Sequence, residues 1–234
     1  MAPAEEKIQP EGLKKGTLSR LSLAFILFLL PVLLFAKLAT IVREQERLWL
    51  DIGVLMLVKS LASSALTNFF IFVTTIGDAL LIAPLTATAG LYLAYIKHRR
   101  QATLVFFGIG GAAVINLFLK SIFQRPRPDL WQHLVEETGY SFPSGHAMTS
   151  SAVAFVLVLL CWHTRWRWWV VAGATVYMIS VGVSRLYLGV HYPSDIVGGW
   201  CISIAWVWVV KQVIDTFGSP AKTLMKSLMG KQVR

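Results

Sequence analysis

Most of the side chains in this sequence that could do chemistry fall in three short polar segments: Lys120 to Pro128 (KSIFQRPRP), Pro143 to His146 (PSGH) and Ser184 to Asp195 (SRLYLGVHYPSD). They gather a lysine, arginines, two histidines and an aspartate into a chain that is otherwise mostly apolar. Charge in such surroundings is costly and asks for a purpose. An anionic ligand is the obvious one.

Each segment has its own logic. Pro193 suits the first turn of a helix, and the spacing of four from His191 to Asp195 puts a carboxylate within reach of the imidazole. That carboxylate would fix the ring tautomer and stabilise its charged form, as a histidine nucleophile or base requires, although such a pair alone is often structural. Ser144-Gly145 opening a helix would leave free backbone N–H groups at the positive end of the helix dipole, a ready phosphate site. His146, at a water-facing helix start, could exchange protons near neutral pH; an ordinary N-cap with an incidental histidine is the alternative. Lys120 and Arg127 stand at the end of an apolar run that Pro126 and Pro128 stop and stiffen. Alone, they read equally as a basic cluster touching lipid headgroups.

The elements that must position these groups are membrane helices. Of 234 residues, 56% are hydrophobic and 15% charged, with mean hydropathy +0.62, where a water-soluble domain carries about 25% charged residues. Six apolar runs, roughly 20–41, 69–96, 101–122, 147–163, 168–188 and 195–214, approach the ~20 residues a spanning helix needs. The expected fold is all-α: a bundle of six transmembrane helices with interfacial helices on the outer side. Residues 1–19 form an N-terminal tail, 20–68 the first span and an interfacial segment, 69–214 the core and 215–234 a C-terminal tail. The first run reads as an uncleaved anchor rather than a signal peptide. Glu44 to Thr67 mixes charged and apolar residues as helices in the interface do. Gly108, Gly110, Gly111, Gly198 and Gly199 would permit close helix approach. Cys161 and Cys201 lie in apolar spans and read as small core residues.

The net charge of +10 does not indicate nucleic acid, because the basic residues form no single face. They sit in the tails and in connections such as Lys97-His98-Arg99-Arg100 and Arg165-Trp166-Arg167. The positive-inside rule places those connections and both termini in the cytoplasm and the three polar segments outside. Trp162, Trp166, Trp168 and Trp169 then read as an aromatic belt.

Taken together, Lys120, six residues, Arg127-Pro128; Pro143-Ser144-Gly145-His146; and Ser184-Arg185, five residues, His191, three residues, Asp195 resemble the three-part signature of the type 2 phosphatidic acid phosphatase superfamily, which also includes acid phosphatases and vanadium haloperoxidases. The resemblance covers about residues 69–212. It implies that His191 attacks phosphorus to form a phosphohistidine, that Asp195 orients it, and that His146 protonates the leaving oxygen and then activates water. It further implies that Lys120, Arg127, Arg185, Ser144 and the Gly145 amide hold the phosphoryl oxygens, with no metal and no other cofactor. Phosphoryl transfer is mostly positioning and charge stabilisation, which fixed cations and amides can supply.

The spacing selects Arg127 over Arg125, leaving Arg125 to a headgroup or structural contact. Asn116, one turn before Lys120, could support it, and Asp78 reads as a helix-edge residue. The implied partners are a lipid phosphate and the bilayer; phosphatidic acid, phosphatidylglycerol phosphate and undecaprenyl diphosphate all fit. The loop Asp129 to Ser141, with Trp131, His133, Glu136 and Glu137, is where headgroups would be told apart. A lipid phosphotransferase on the same scaffold is the alternative activity. A transporter would place its ionisable residues along a midplane path instead of at one face, and a soluble haloperoxidase would lack the apolar spans.

Overall fold

Hydrocarbon offers the backbone no water, so an apolar run that enters it must satisfy its own N–H and C=O groups, and a helix does so within one segment. The computed structural model of this chain describes residues 22, 24–44 and 48–218, and among the described residues the regular structure is helical, without strands. In chain order the helices are α1 (Phe25–Arg43), α2 (Trp49–Ser60), α3 (Ser64–Ile76), α4 (Ala79–Tyr95), α5 (Arg99–Phe123), α6 (Gly145–Cys161), α7 (Arg167–Tyr187) and α8 (Pro193–Gly218). The basic residues of the two tails before residue 22 and after 218 lie outside the described residues.

Among the described residues, five helical segments of 18 or more residues are apolar enough to cross a membrane: Phe25–Arg43, Ser64–Tyr95, Arg99–Phe123, Arg167–Tyr187 and Pro193–Phe217. The run expected to span at 147–163 is α6, a 17-residue apolar helix. At 1.5 Å per residue it is about 25 Å long, at the short end of the roughly 17–25 residues that spanning helices use.

The run 69–96 also differs from the single span expected. Hydropathy averages across Gly77 and Asp78, but the helix breaks there: Gly77 ends α3, and Asp78 Oδ1 accepts the Leu80 N–H at 2.7 Å to cap α4.

Helix α6 packs against α5, α7 and α8. Its buried face is small: Ala147, Ser150, Ser151, Ala152 and Ala154. Ser150 and Ser151 donate their hydroxyls to the Ala147 carbonyl, so burial orphans neither donor. Met148 and Val156 of the same helix form the main core with Ile82, Leu104, Ile109 and Val207. A Cβ on Gly111 would stand 2.6 Å from Trp206, one on Gly198 2.8 Å from Phe142, one on Gly108 3.0 Å from Val156 and one on Gly199 3.0 Å from the Ser144 carbonyl. Gly110 differs from this expectation, with nothing within 4 Å of its position.

Helix α2 closes the end of the bundle that carries the polar segments. Its Leu55 is fully buried with Ala147, Leu186 and Ile196. The outside of the bundle is apolar, with Leu80 88%, Leu117 71% and Phe72 64% exposed, as lipid-facing positions are and as a water-soluble surface of this size is not. Trp166, Trp168 and Trp169 are exposed too, with Arg165 over Trp166 and Arg167 over Trp168.

Candidate active site

Backbone hydrogen bonds tie the three polar segments together at one end of the bundle. Ser144 N–H donates to the Asp195 carbonyl (3.1 Å), Ser141 N–H to that of Arg125 (2.8 Å) and Leu134 N–H to that of Leu188 (3.3 Å). The N-terminus of α6, the turn from α7 to α8 and the chain leaving α5 thus share one small volume.

His191, in that turn, is 1% exposed and is gripped through both ring nitrogens. Nδ1 is 3.3 Å from Asp195 Oδ2, and Nε2 is 3.2 Å from Arg127 Nη1. Asp195 itself is fully buried, and its Oδ2 also accepts the Tyr192 N–H at 2.8 Å. Burial first, then the cations Arg185, Arg127 and Lys120, hold the His191 imidazole well below its ordinary pKa, so the ring is neutral. With the carboxylate on Nδ1, the proton sits there and the Nε2 lone pair faces the cations.

Two of those cations are joined by a residue the sequence reading left among four candidates of one loop. Glu137 pairs with Arg127 (3.3 Å) through one oxygen and with Arg185 through the other. Arg185 is 1% exposed and donates to Thr74 Oγ1 at 2.6 Å. Its buried Nε has no partner among the described residues. Arg127 is further fixed by the carbonyls of Gly139, Thr138 and Val190. Lys120, in the last turn of α5, lies within electrostatic range of Arg127, Glu137, Arg185 and Asp195.

The α6 end completes the cluster. Ser144 is fully buried and caps the helix, its Oγ accepting the Ala147 N–H at 3.4 Å. Asn116 donates to the Pro143 carbonyl (2.9 Å), and a Cβ on Gly145 would stand 3.0 Å from its Oδ1. Asn116 therefore braces the PSGH segment and not Lys120, because its amide turns toward α6. His146 is more enclosed than a water-facing helix start: its side chain is 14% exposed and Nε2 stands 3.5 Å from Asp78 Oδ2. Asp78 is at a helix edge as expected, but the break in the 69–96 run is what brings it to this histidine.

Of the two contacts expected for Arg125, the structure shows the structural one. Arg125 is buried in ion pairs with Asp195 Oδ1 (2.6 Å) and Asp51 Oδ2 (2.9 Å). Asp51, on α2, reads in the sequence only as one of the charges of the interfacial segment Glu44 to Thr67, a carboxylate inside Leu48–Leu57, with nothing to mark it as part of the site. Beside this cluster a cavity of about 760 Å³ opens between α1, α2 and the chain leaving α5, its wall including Val42, Leu48, Ile52, Phe123, Leu130 and Arg127. Among the described residues, no three His, Cys, Asp or Glu side chains are grouped to hold a metal ion.

The arrangement offers a neutral imidazole whose free nitrogen faces fixed cations, with a second histidine nearby paired to a carboxylate. Comparison with known proteins agrees in family. Phosphatidylglycerophosphatase B of Bacillus subtilis (strain 168) is 32% identical over 147 residues, 59% of this chain and 70% of that protein. An undecaprenyl-diphosphatase of Sulfolobus acidocaldarius is 27% identical over 209 residues, 87% of this chain and 96% of that one. The crystal structure of a transmembrane PAP2 type phosphatidylglycerolphosphate phosphatase from Bacillus subtilis superposes with a TM-score of 0.70 at 25% identity, covering 80% of this chain and 96% of that one. The PAP2 superfamily pattern itself matches residues 101–219, which hold every one of the motif positions, and the chain belongs to that superfamily.

Proposed function

We propose that this protein is a membrane lipid phosphatase that removes the terminal phosphate of a lipid phosphate or diphosphate through a phosphohistidine at His191. The observation that carries the reading is the two-sided grip on that ring: Asp195 on Nδ1 and Arg127 at Nε2.

In the first step the Nε2 lone pair attacks phosphorus and the P–O bond to the lipid breaks. The leaving oxygen takes a proton from His146. The ring, now phosphorylated at Nε2 and protonated at Nδ1, carries positive charge that Asp195 balances. In the second step water attacks phosphorus, His146 takes its proton, and the N–P electron pair returns to Nε2 as inorganic phosphate leaves. Burial first, then Arg185, Lys120 and Arg127, pushes His146 down to about 2, so it holds the proton it gives only once the negative charge of the bound phosphate offsets those cations. Lys120, Arg127, Arg185, Ser144 and the Gly145 N–H hold the phosphoryl oxygens, and the orphaned Arg185 Nε is a donor to spare for them. Fixed cations supply the charge stabilisation, so no step calls on a metal.

The cavity beside Arg127 has a mixed wall, in which Val42, Leu48, Ile52, Ile122, Phe123 and Leu130 suit a lipid body and the charged residues its phosphate end. The relatives' names support phosphatidylglycerol phosphate and undecaprenyl diphosphate as substrates, with phosphatidic acid a third. The basic residues of the two connections and of the tails support a catalytic end on the outer side of the cell membrane and both termini in the cytoplasm, with α6 as one of six crossings.

Phosphate release from these three lipids, measured with purified protein in detergent and EDTA, tests the proposal. Release from at least one, lost in His191→Ala, is expected. No release from any, or transfer of labelled phosphate to a second lipid instead of water, would overturn it.

A further inference from the structure

We propose that Asp51 and Arg125 are positioning residues that hold the Asp195 carboxylate on His191, so that helix α2, outside the matched family segment, completes the nucleophile's support. The inference rests on the reading of His191 as the nucleophile.

The contacts run in one direction. Asp195 Oδ2 serves His191 Nδ1 and the Tyr192 N–H, and Oδ1 accepts Arg125 Nη1 at 2.6 Å. The same Nη1 donates to Ser194 Oγ at 2.7 Å, while Nη2 reaches Asp51 Oδ2 at 2.9 Å. Asp51 also grips the first turn of α8 directly, its Oδ1 accepting the Ser194 N–H at 2.9 Å and its Oδ2 the Ser194 hydroxyl at 2.6 Å. The guanidinium lies over the Tyr192 ring, 4.0 Å from its centroid. Asp51 is 2% exposed and Asp195 fully buried. Both carboxylates are thus charges that need the arginine between them, and the planar fork bridges both as an ammonium cannot.

The two arginines of the RPRP run divide the work. Arg127 faces the Nε2 side, where phosphate would bind, whereas the recorded polar contacts of Arg125 lie on the Nδ1 side. Asp51, Arg125 and Asp195 together carry one net negative charge. That charge meets the positive ring formed when Nε2 takes the phosphoryl group, and it has little to meet while the ring is neutral. Loss of Asp51 removes that charge, and loss of Arg125 leaves two buried carboxylates uncompensated, so that Asp195 takes up a proton or leaves the ring; either should slow the attack and leave phosphate binding in place. A brace that merely joined α2 to α8 would instead affect folding, binding and turnover together.

The test compares Asp51→Asn, Arg125→Gln, Arg125→Lys and the Asp51→Asn/Arg125→Gln double variant in the full-length protein. Three quantities are measured: kcat, KM, and the inhibition constant of inorganic phosphate. We expect kcat to fall about 10-fold in Asp51→Asn and about 100-fold in Arg125→Gln, with KM and the phosphate constant within about threefold of wild type. Arg125→Lys should fall between, and the double variant should be no slower than Arg125→Gln, because the pair acts as a unit. Unchanged kcat in Asp51→Asn and Arg125→Gln overturns the proposal, as does a loss of phosphate affinity as large as the loss of kcat. Should Arg125→Gln fail to fold, Asp51→Asn and Arg125→Lys decide by the same split. Failure of the underlying functional reading shows separately, as a wild-type protein that releases no phosphate or a His191→Ala variant that still does.

Discussion

Arg127 Nη1 stands 3.2 Å from His191 Nε2, on the opposite side of the ring from the Asp195 carboxylate. The nitrogen assigned to attack phosphorus is therefore already in contact with a cation assigned to hold the phosphoryl oxygens.

That contact has a pH consequence. Burial, with Arg185, Arg127 and Lys120, keeps His191 well below its usual value of 6.5, so the ring stays neutral and nucleophilic as pH falls through 6.5. Removing a neighbouring cation favours the imidazolium and raises the pKa. Arg127→Gln should accordingly move the acid limb of kcat/KM to higher pH, besides lowering its maximum by roughly 10- to 100-fold. Substrate ionisation is common to both enzymes and cancels in the comparison. Arg127 also acts on His146, but a raised pKa in the group that gives the proton moves the basic limb, which leaves the acid limb to His191. A limb that stayed in place or moved to lower pH would contradict the electrostatic account.

Glu137 occupies the two arginines that a phosphoryl group would need. An incoming phosphate must compete with that carboxylate, and an amide competes less because charge-assisted pairs are about twice as strong as neutral ones. Glu137→Gln should bind inorganic phosphate several-fold more tightly, read as a lower inhibition constant. Weaker phosphate binding in this variant would show that Glu137 shapes the site instead of competing for it.

Much of the site was legible because its spacing is local. The interval of four from His191 to Asp195 is one helical turn, and Ser144-Gly145 before an apolar run is a helix start wherever it occurs. What was not legible depends on packing. Asp51 meets Ser194 across 143 residues, and nothing near either residue specifies the other. Glu137 was one of four polar or aromatic side chains in a loop, singled out only when the chain from α5 folds over α7. The Gly77–Asp78 break was readable as a glycine stop followed by an aspartate cap, but a hydropathy average over the run 69–96 hides those two residues. The run at 147–163 is the shortest of the six for a related reason: α6 starts at a buried cap inside the site.

Orientation in the membrane rests on Lys97, Arg99, Arg100, Arg165 and Arg167 in two connections and on the tails. In a background without Cys161 and Cys201, a cysteine at Gln132 should react with a membrane-impermeant thiol reagent added to intact spheroplasts, and one at His98 should not. The reverse pattern would put the catalytic end in the cytoplasm.

The central claim is a covalent phosphoryl group on His191, and rapid quenching tests it directly. Wild-type protein mixed with a hydrolysed lipid substrate labelled in its terminal phosphate, stopped in base within one turnover, should carry acid-labile label that maps to the peptide containing His191. The label should build up further in His146→Ala, which lacks the group assigned to activate water, and be absent in His191→Ala. Steady phosphate release with no label on the protein at any time, or label on another residue, would contradict the account.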